Sequence, residues 1–230
     1  MKKIGFIGVY DKIDLLLNIA KVLTEMKNRV LIIDTTTNQK AKYVVPAINP
    51  TVSYITSFED IDVAIGFETL KQVKNYLGTN EEMPYDVILI DVDTSEKMEE
   101  FELDNSNKNY FVTSFDVYNL KKGLQILENL KVTTKLTKIL YSKEMLKEED
   151  DYLNFLASEY KVAWDNEIIY FPIENGDLSV IYENQRVQKI KLKKLSIQYK
   201  DSLGFIVQQI LEQKTDSYVR RVIKELERGV

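Results

Sequence analysis

The hydrophobic residues of this chain fall into short apolar runs, separated by stretches in which apolar residues recur every third or fourth position. Short apolar runs that alternate with helices are typical of buried parallel strands. The clearest helical stretch follows the first run, where Ile13, Leu16, Leu17, Ala20 and Leu23 share one face. The alternation continues over most of the chain and predicts an α/β fold with a mainly parallel sheet.

The same pattern sets approximate bounds for each element. We predict strands at residues 3–9, 29–37, 51–58, 85–95, 108–114, 137–142 and 167–172. We predict helices at residues 12–28, 67–77, 116–130 and 143–160, and a C-terminal helical segment over about 201–229, as one helix or as two that meet near Thr215 and Asp216. No linker-like stretch interrupts the pattern, so we predict one domain over residues 1–230.

Composition excludes several kinds of chemistry. The 230 residues include no cysteine and no histidine, which removes disulfides, zinc–thiolate sites, cysteine nucleophiles and Ser-His-Asp triads. A metal site made only of carboxylates stays open. The formal net charge is −5, so an anionic partner would have to bind a local basic patch. The sequence has no membrane-spanning apolar run and no signal-peptide pattern, so we predict a cytoplasmic protein.

Four segments, taken in order, resemble the MinD/ParA family of P-loop ATPases. "NIAKVLTEMKNRVLIIDTT" is similar to the family's first helix and second strand, and "YDVILIDVDTS" is similar to its second acidic strand. "YFVTSFDVYNLKKGLQILENL" resembles the strand and helix that follow, and "IIYFPIENGDLSVIYENQRV" resembles the late strand and the segment that closes over the base. The resemblance implies a P-loop NTPase-like twisted sheet of seven to eight strands with helices on both faces. It also implies a site at the carboxyl ends of the first, second and fourth predicted strands.

The family's phosphate loop, K-G-G-x-G-K-[ST]-[ST], is degenerate in this chain. The corresponding segment "GVYDKID" at residues 8–14 is about three residues shorter than that pattern. Glycines in such loops let backbone N–H groups approach phosphates, and only Gly8 is present here. The resemblance places Lys12 at the phosphate lysine and Ile13 where a hydroxyl residue would hold Mg²⁺. We therefore predict a remnant loop that binds no nucleotide, made of Gly8, Tyr10, Asp11, Lys12 and Asp14.

The two carboxylates of the remnant loop give a physical reason for this loss. A helix N-terminus carries unpaired N–H groups and a partial positive charge, and both attract anions. We predict that Asp11 caps the following helix and that Asp14 occupies its third position, as in a capping box. The protein's own carboxylates would then satisfy the donors that a phosphate needs, and their charge would repel a triphosphate.

Asp34 and Asp91 end two of the predicted strands and have two interpretations. If the site is active, as the resemblance allows, Lys12, Asp34 and Asp91 are its catalytic residues, with ATP and Mg²⁺ as cofactors. If the loop is a remnant, the two carboxylates cap loops, and we expect no catalytic residue, no metal and no cofactor. The missing phosphate loop favours the second interpretation.

Two basic segments are candidates for an anion or partner site. Residues 186–200 contain six basic residues and no acidic residue. If this segment is a strand, its lysines share one face, and the alternative role for them is protection of an edge strand against aggregation. In the tail, basic residues flank an apolar stripe that either docks on its own domain or meets a partner. The candidate patch residues are Lys189, Lys191, Lys193, Arg220, Arg221 and Lys224.

The leading interpretation is a MinD/ParA-like pseudo-ATPase that acts as a scaffold or adaptor in a secretion, pilus, conjugation or positioning machine. Its partner would be a protein, or a second copy in an ATP-independent homodimer, and we expect no small-molecule substrate. The alternatives are an active ATPase with an atypical phosphate loop and a plasmid-partition-like protein that associates with DNA. The negative net charge argues against DNA, and the tail is too poor in bulky apolar residues for more than weak binding to a membrane surface.

Overall fold

An eight-stranded sheet forms the centre of the computed structural model, which describes residues 1–48, 50–79, 82–142, 147–172, 174–212 and 215–228. The strands are β1 (Lys2–Ile7), β2 (Val30–Asp34), β3 (Tyr54–Phe58), β4 (Ile61–Ile65), β5 (Val87–Val92), β6 (Lys108–Ser114), β7 (Thr134–Ser142) and β8 (Val162–Pro172). Their spatial order is β3-β4-β2-β5-β1-β6-β7-β8, and neighbouring strands are parallel except for β3 and β4. This sheet confirms the predicted fold class.

Helices cover both faces of the sheet. Within the described residues they are α1 (Ile13–Glu25), α2 (Ala41–Val44), α3 (Leu70–Tyr76), α4 (Ser95–Glu100), α5 (Val117–Glu128), α6 (Lys147–Leu156), α7 (Asn175–Val187), α8 (Ile197–Leu211) and α9 (Asp216–Arg228), with a 3-10 turn at Leu103–Asn105. Helices α1, α8 and α9 pack into one hydrophobic core, and α3 to α6 pack into a second core on the opposite face. Strands β1, β2 and β5 are buried between the two cores, which explains their continuous apolar runs.

Strand β4 is missing from the predicted elements, and the turn before it explains why. Phe58 pairs with Ile61, so a two-residue turn at Glu59 and Asp60 joins β3 to β4. Both turn residues have positive φ, 49° and 65°, as a type I′ hairpin turn requires. That conformation usually takes asparagine or glycine, so two acidic residues give no hairpin signal. The strand that ends near Asp91 is consequently the fifth and not the fourth.

The strand order reverses beside β1, which lies between β5 and β6. Ligands of open α/β sheets bind outside the carboxyl ends of the strands at such a switch point. Asp34 and Asp91 are direct partners in the register of β2 and β5, and Ile7 at the end of β1 pairs with Val92. The topology therefore brings the β1–α1 connection and both strand-end aspartates to one edge of the sheet, here called the carboxyl edge.

Residues 186–200 do not form a strand, so the condition under which their lysines would share one strand face is not met. Helix α7 ends at Val187, its C-cap Gln188 adopts the left-handed conformation with φ of 50°, and α8 begins at Ile197. The chain between the two helices is irregular and is anchored by the buried Leu192 and Leu195, which belong to the first core. Because these two leucines are buried among the helices of the first core, the segment adds no strand to the sheet.

The C-terminal segment forms two helices that pack against each other and against α1. Helix α8 begins at Ile197, slightly before the predicted start at residue 201. The apolar stripe of α9 is buried through Val219, Val222 and Ile223, so this helix docks on its own fold. Part of this predicted segment lies outside the described residues, namely 213–214 and 229. The same holds for residues 143–146 of the helix predicted at 143–160. Where the structure describes the chain, it contains no helix with the length and apolarity needed to cross a membrane.

Candidate functional site at the carboxyl edge

The connection between β1 and α1 runs from Gly8 to Lys12 and packs against β6. Gly8 has φ of +138°, and a Cβ atom here would lie 2.1 Å from the carbonyl oxygen of Val112. The Gly8 N–H donates to the carbonyl oxygen of Val92 at 3.0 Å. Close approach to two neighbouring strands therefore explains this glycine without a phosphate.

Lys12 is buried, with 2% of its surface exposed. Its Nζ lies 2.9 Å from Asp91 Oδ1, donates to the Gly8 carbonyl oxygen, and donates to the Tyr10 carbonyl oxygen at 3.2 Å. The contact with Asp91 is an ion pair without hydrogen-bond alignment. The side chain thus turns back onto its own loop, where the ammonium is surrounded by acceptors of the protein itself.

Asp91 is the buried partner in this ion pair. Burial raises its pKa to about 7, the positive charge of Lys12 opposes that shift, and the nearby Asp34 adds to it. A carboxylate removed from water needs a compensating cation to stay ionised, and Lys12 supplies it. Removing either partner of such a pair leaves an uncompensated buried charge. Lys12 and Asp91 therefore stabilise the site as one unit.

The carboxylate of Asp34 is hydrogen-bonded to the loop that joins β2 to α2 and to the first residue of α2. Its Oδ1 accepts hydrogen bonds from Thr36 N at 3.0 Å and from Thr36 Oγ1 at 2.6 Å. Its Oδ2 accepts from the backbone N–H of Ala41, the first residue of α2, at 2.9 Å. Both carboxylate oxygens are used by donors of the loop, which is the arrangement expected of a loop-capping aspartate.

The capping arrangement predicted at the start of α1 is wrong. The helix begins at Ile13, and Lys12 takes the N-cap position without a side-chain cap hydrogen bond. Asp11 lies one residue earlier, where its Oδ1 accepts a long bond of 3.4 Å from Ile13 N and its Oδ2 pairs with Lys40 at 2.7 Å. Asp14 is accordingly the second helical residue and not the third. The N-cap position is Lys12 and not Asp11, because the Lys12 side chain turns inward at the helix start.

Asp14 is directed toward α7. Its Oδ2 accepts a hydrogen bond from Gln185 Nε2 at 2.8 Å. Burial raises the pKa of Asp14 to about 7, the negative charge of Asp11 adds to the shift, and the Gln185 hydrogen bond opposes it. Gln185 has no recognisable signal in the sequence, because 171 residues separate it from its partner.

A cavity of about 460 Å³ opens at the carboxyl edge above these residues, and we call it the edge cavity. Its charged lining residues are Asp11, Asp14, Asp34, Asp91, Asp93, Lys12 and Lys40. Each of the two lysines is already paired with an aspartate of the same lining. With five aspartates and two lysines, the lining of the edge cavity has a net negative formal charge.

An aromatic wall that the sequence did not predict borders the edge cavity. Tyr10 stacks on Tyr141 with 4.3 Å between ring centroids, and Tyr141 stacks on Phe171 at 5.2 Å. Phe171 meets the ring of Tyr199 edge-on at 4.9 Å. Burial raises the pKa of Tyr10 to about 12, so its hydroxyl stays protonated at neutral pH. The four rings come from four separate segments, and no local pattern links them.

The predicted basic patch is divided between two surface segments. Its exposed residues are Lys189, Lys191 and Lys193 in the chain before α8, and Arg220, Arg221 and Lys224 on α9. Arg220 forms ion pairs with Asp216 at 2.8 Å and with Asp201 at 3.3 Å. Arg221 lies 3.9 Å from Glu225. Acidic neighbours thus offset part of the positive charge on α9.

Known proteins share this fold but not this sequence. No protein-family model matches the chain, and no curated protein matches it in sequence. Among solved structures, a chain of the MinC–MinD cell division protein complex of Aquifex aeolicus superposes with a TM-score of 0.61 at 14% identity, over 94% of this chain and 97% of that chain. A ParA family ATPase of Chlorobium tepidum gives 0.54 at 11%, over 98% and 97%. The McdA–ATP complex of Cyanothece gives 0.59 at 10%, over 94% and 98%.

These similarities define the class of the fold. The chain has the MinD/ParA-like fold of P-loop NTPases, as the sequence resemblance implied. At these identities the likeness establishes the fold alone, so the chemistry of the site has to be argued from the residues of this chain.

Proposed function

We propose that this chain is a non-hydrolysing scaffold or adaptor protein that uses the MinD/ParA-like fold without a nucleotide. The observation that carries the proposal is the environment of Lys12. The residue at the position of a phosphate lysine is buried and contacts Asp91 and two carbonyl oxygens of its own loop. A nucleotide would have to compete with an internal carboxylate that already holds this ammonium.

The residues around the edge cavity do not fit ATP and Mg²⁺. Phosphate loops offer several glycine N–H groups, whereas this loop has Gly8 alone, and its N–H donates to a neighbouring strand. Ile13 has no hydroxyl to hold a metal ion. Both oxygens of Asp34 accept loop donors, which leaves it poorly placed to orient metal-bound water. The acidic lining adds repulsion to these missing contacts.

An active ATPase with an atypical phosphate loop is the second candidate, and the edge cavity itself favours it. Small-molecule sites typically measure about 300–1,000 Å³, a range that includes this cavity. Lys12, Asp34 and Asp91 all line it. This function requires Lys12 to leave Asp91 when nucleotide binds. A DNA-associated role has weaker support, because acidic side chains lie beside Arg220 and Arg221.

For the scaffold, we propose a protein partner or a nucleotide-independent homodimer, in a secretion, pilus, conjugation or positioning machine. Large exposed side chains at the carboxyl edge support this choice. Val117 and Tyr118 at the start of α5 are exposed, as is Tyr182 on α7, and both tyrosines line the edge cavity. Tyrosine is enriched at protein interfaces because its ring is apolar and its hydroxyl is polar.

Light scattering of the full chain tests the independence from nucleotide. We expect the same molar mass without nucleotide, with Mg–ADP and with Mg–ATP. The Mg–ADP sample is the matched control for non-specific effects of a charged ligand. A dimer that appears only with Mg–ATP contradicts the proposal and supports the active ATPase.

A further inference from the structure

Helix α6 exposes two aromatic rings, although its inner side is well packed. Leu153 and Ala157 on the inner side are buried in the second core. On the outer side, Phe155 is 73% exposed and Tyr152 is 52% exposed. Residues three apart on a helix are neighbours, so the two rings lie side by side. Adjacent exposed rings mark interaction surfaces more often than single exposed side chains do.

Acidic side chains lie beside these rings. Glu148 and Asp151 are exposed at helical spacing from them, and neither forms an ion pair within the described residues. Acidic residues in the first turn of a helix need no partner, because they favour the helix start. The rings have no such explanation, and they therefore carry the indication of a partner. We call the surface formed by Glu148, Asp151, Tyr152 and Phe155 the acidic–aromatic face.

The irregular chain between α7 and α8 presents the opposite charge. Lys189, Lys191 and Lys193 are exposed, and none forms an ion pair in the part of the chain that the structure describes. Exposed aliphatic side chains flank these lysines, with Val187 at the end of α7 and Ile197 at the start of α8. We call this surface of five residues the basic–aliphatic face.

The two faces complement each other. Each combines two exposed apolar side chains with exposed charges of a single sign. Opposite charges steer two surfaces together and select their orientation, while burial of apolar side chains supplies affinity. The net charge of −5 otherwise opposes close approach of two copies. Because both halves of a matched interface are present on one chain, a second copy is the partner that the structure itself supplies.

The two faces lie on opposite sides of the sheet. Helix α6 packs into the second core, whereas Leu192 and Leu195 anchor the basic segment in the first core. One copy therefore cannot join its own two faces. Different surfaces that meet between identical copies form a heterologous contact, which leaves one unused face at each end of a pair.

We infer that the basic–aliphatic face of one copy docks on the acidic–aromatic face of a second copy, so that copies associate head to tail without a nucleotide. The inference rests on the proposed scaffold function and names a second copy as its partner. It also gives a role to the exposed lysines at positions 189, 191 and 193, which do not line the edge cavity.

Analytical ultracentrifugation of the full chain without nucleotide tests the contact. At about 50 mM salt the average molar mass should rise with protein concentration, and at about 500 mM salt it should fall toward the monomer, because salt screens the charges. Tyr152→Ser/Phe155→Ser disables one face, and Lys189→Glu/Lys191→Glu/Lys193→Glu disables the other. Each variant alone should stay monomeric. Their equimolar mixture should form a heterodimer that grows no further, since each variant keeps one working face.

A matched control separates the contact from a general effect of net charge. Lys71→Glu/Lys121→Glu/Lys122→Glu reverses three other exposed lysines and changes the net charge by the same amount. This variant should associate like the unmodified chain.

Each outcome decides the inference. A heterodimer in the mixture supports it, and this result also shows that both variants fold. If the unmodified chain associates but the mixture does not, or if the control variant also loses association, the inference is overturned. A chain that stays monomeric up to about 1 mM overturns it as well, and a different protein is then the occupant of these faces. Association that appears only with Mg–ATP overturns both proposals, whereas a monomer that does not respond to Mg–ATP overturns this inference alone.

Discussion

Helices α1 and α5 both begin at the carboxyl edge, after neighbouring parallel strands, but their first turns are built differently. Helix α5 has a regular cap: Asp116 is extended, and its Oδ1 accepts from Asn119 N at 3.0 Å. The N-cap of α1 is Lys12, whose backbone lies in the right-handed helical region and whose side chain makes no cap hydrogen bond. The Asp11 carboxylate reaches Ile13 N only at 3.4 Å. Of these two helix starts, that of α1 is therefore the poorly capped one.

The difference shows what holds the β1–α1 connection in place. At α5, an exposed side chain satisfies the backbone, as in most helices. At α1, the buried pair of Lys12 and Asp91 fixes the loop from the inside. The backbone N–H of Gly8 donates to Val92, and that of Ile13 reaches Asp11 Oδ1 only at 3.4 Å. We propose that this internal charge disfavours phosphate at this position, without the help of a regular helix cap.

The largest effect is expected from breaking the internal pair. Lys12→Met should lower the free energy of unfolding by about 3–5 kcal/mol, because Asp91 would be left buried without a cation. Lys131→Met, which breaks an exposed pair with Glu99, is the control and should cost about 0–1 kcal/mol. Urea unfolding at neutral pH measures both. Equal losses in the two variants would show that the loop does not depend on the buried pair.

A smaller change in the free energy of unfolding, of opposite sign, is expected from substitution of Asp14. Its folded-state pKa of about 7 lies above the ordinary 3.8, so between these values the native state holds a proton that the unfolded chain releases. Stability linked to this group is therefore full below pH 3.8 and is lost as pH rises toward 7. Asp14→Asn cannot ionise and keeps an acceptor for Gln185, so it should stabilise the protein at pH 8 by about 1–3 kcal/mol.

Urea unfolding at pH 5, 6.5 and 8 checks this prediction. The free energy of unfolding of the variant should depend less on pH than that of the unmodified chain. Part of the dependence should remain, because the pKa of Asp91 is also raised. Asp104→Asn serves as the control and should retain the full slope. If Asp14→Asn leaves the pH dependence of stability unchanged, burial does not raise the pKa of the Asp14 carboxyl group.

The two helix starts can be compared directly by removing their carboxylates. Asp116→Ala should lower the free energy of unfolding of the protein by about 1 kcal/mol, the usual cost of losing an N-cap. Asp11→Ala should cost less than about 0.5 kcal/mol, because it removes a long hydrogen bond and an exposed ion pair with Lys40. Denaturant unfolding of both variants measures the difference. A larger loss at Asp11 would restore the capping role that the sequence predicted.

The smallest effect is expected on DNA binding. Non-specific DNA affinity comes from neutralised phosphates and is typically about 10⁻⁴–10⁻⁶ M at physiological salt. With a net charge of −5, the chain should bind at the weak end or beyond it. The triple variant Lys189→Glu/Lys191→Glu/Lys193→Glu should therefore behave like the unmodified chain in an anisotropy titration at about 150 mM salt. Sub-micromolar binding that the triple variant loses would favour the partition-like alternative.

Much of the fold follows from the sequence because its central strands are buried on both faces. The runs that end at Asp34 and Asp91 are continuous for that reason, and their parallel pairing brings the two carboxylates together. The hairpin at Glu59 and Asp60 was missed because its turn lacks the usual residues. Helix α7 was also missed, although the sequence resemblance included its segment.

The candidate site was predictable only in part. The absent glycines predict the loss of the phosphate loop, which stays a prediction, and the position of Lys12 follows from the resemblance. The partner of Lys12 depends on the register of β1 and β5, which no local pattern contains. The aromatic wall and Gln185 depend on contacts between distant segments. Side chains that meet only in the folded chain leave no periodic signal.

Calorimetric titration of the full chain with Mg–ATP tests the central claim most directly. Because the buried pair of Lys12 and Asp91 takes the place of a phosphate contact, we expect no binding tighter than about 1 mM, which corresponds to about −4 kcal/mol. Micromolar binding that is lost in folded Lys12→Ala protein would contradict the account, since it would show that Lys12 leaves Asp91 for a nucleotide.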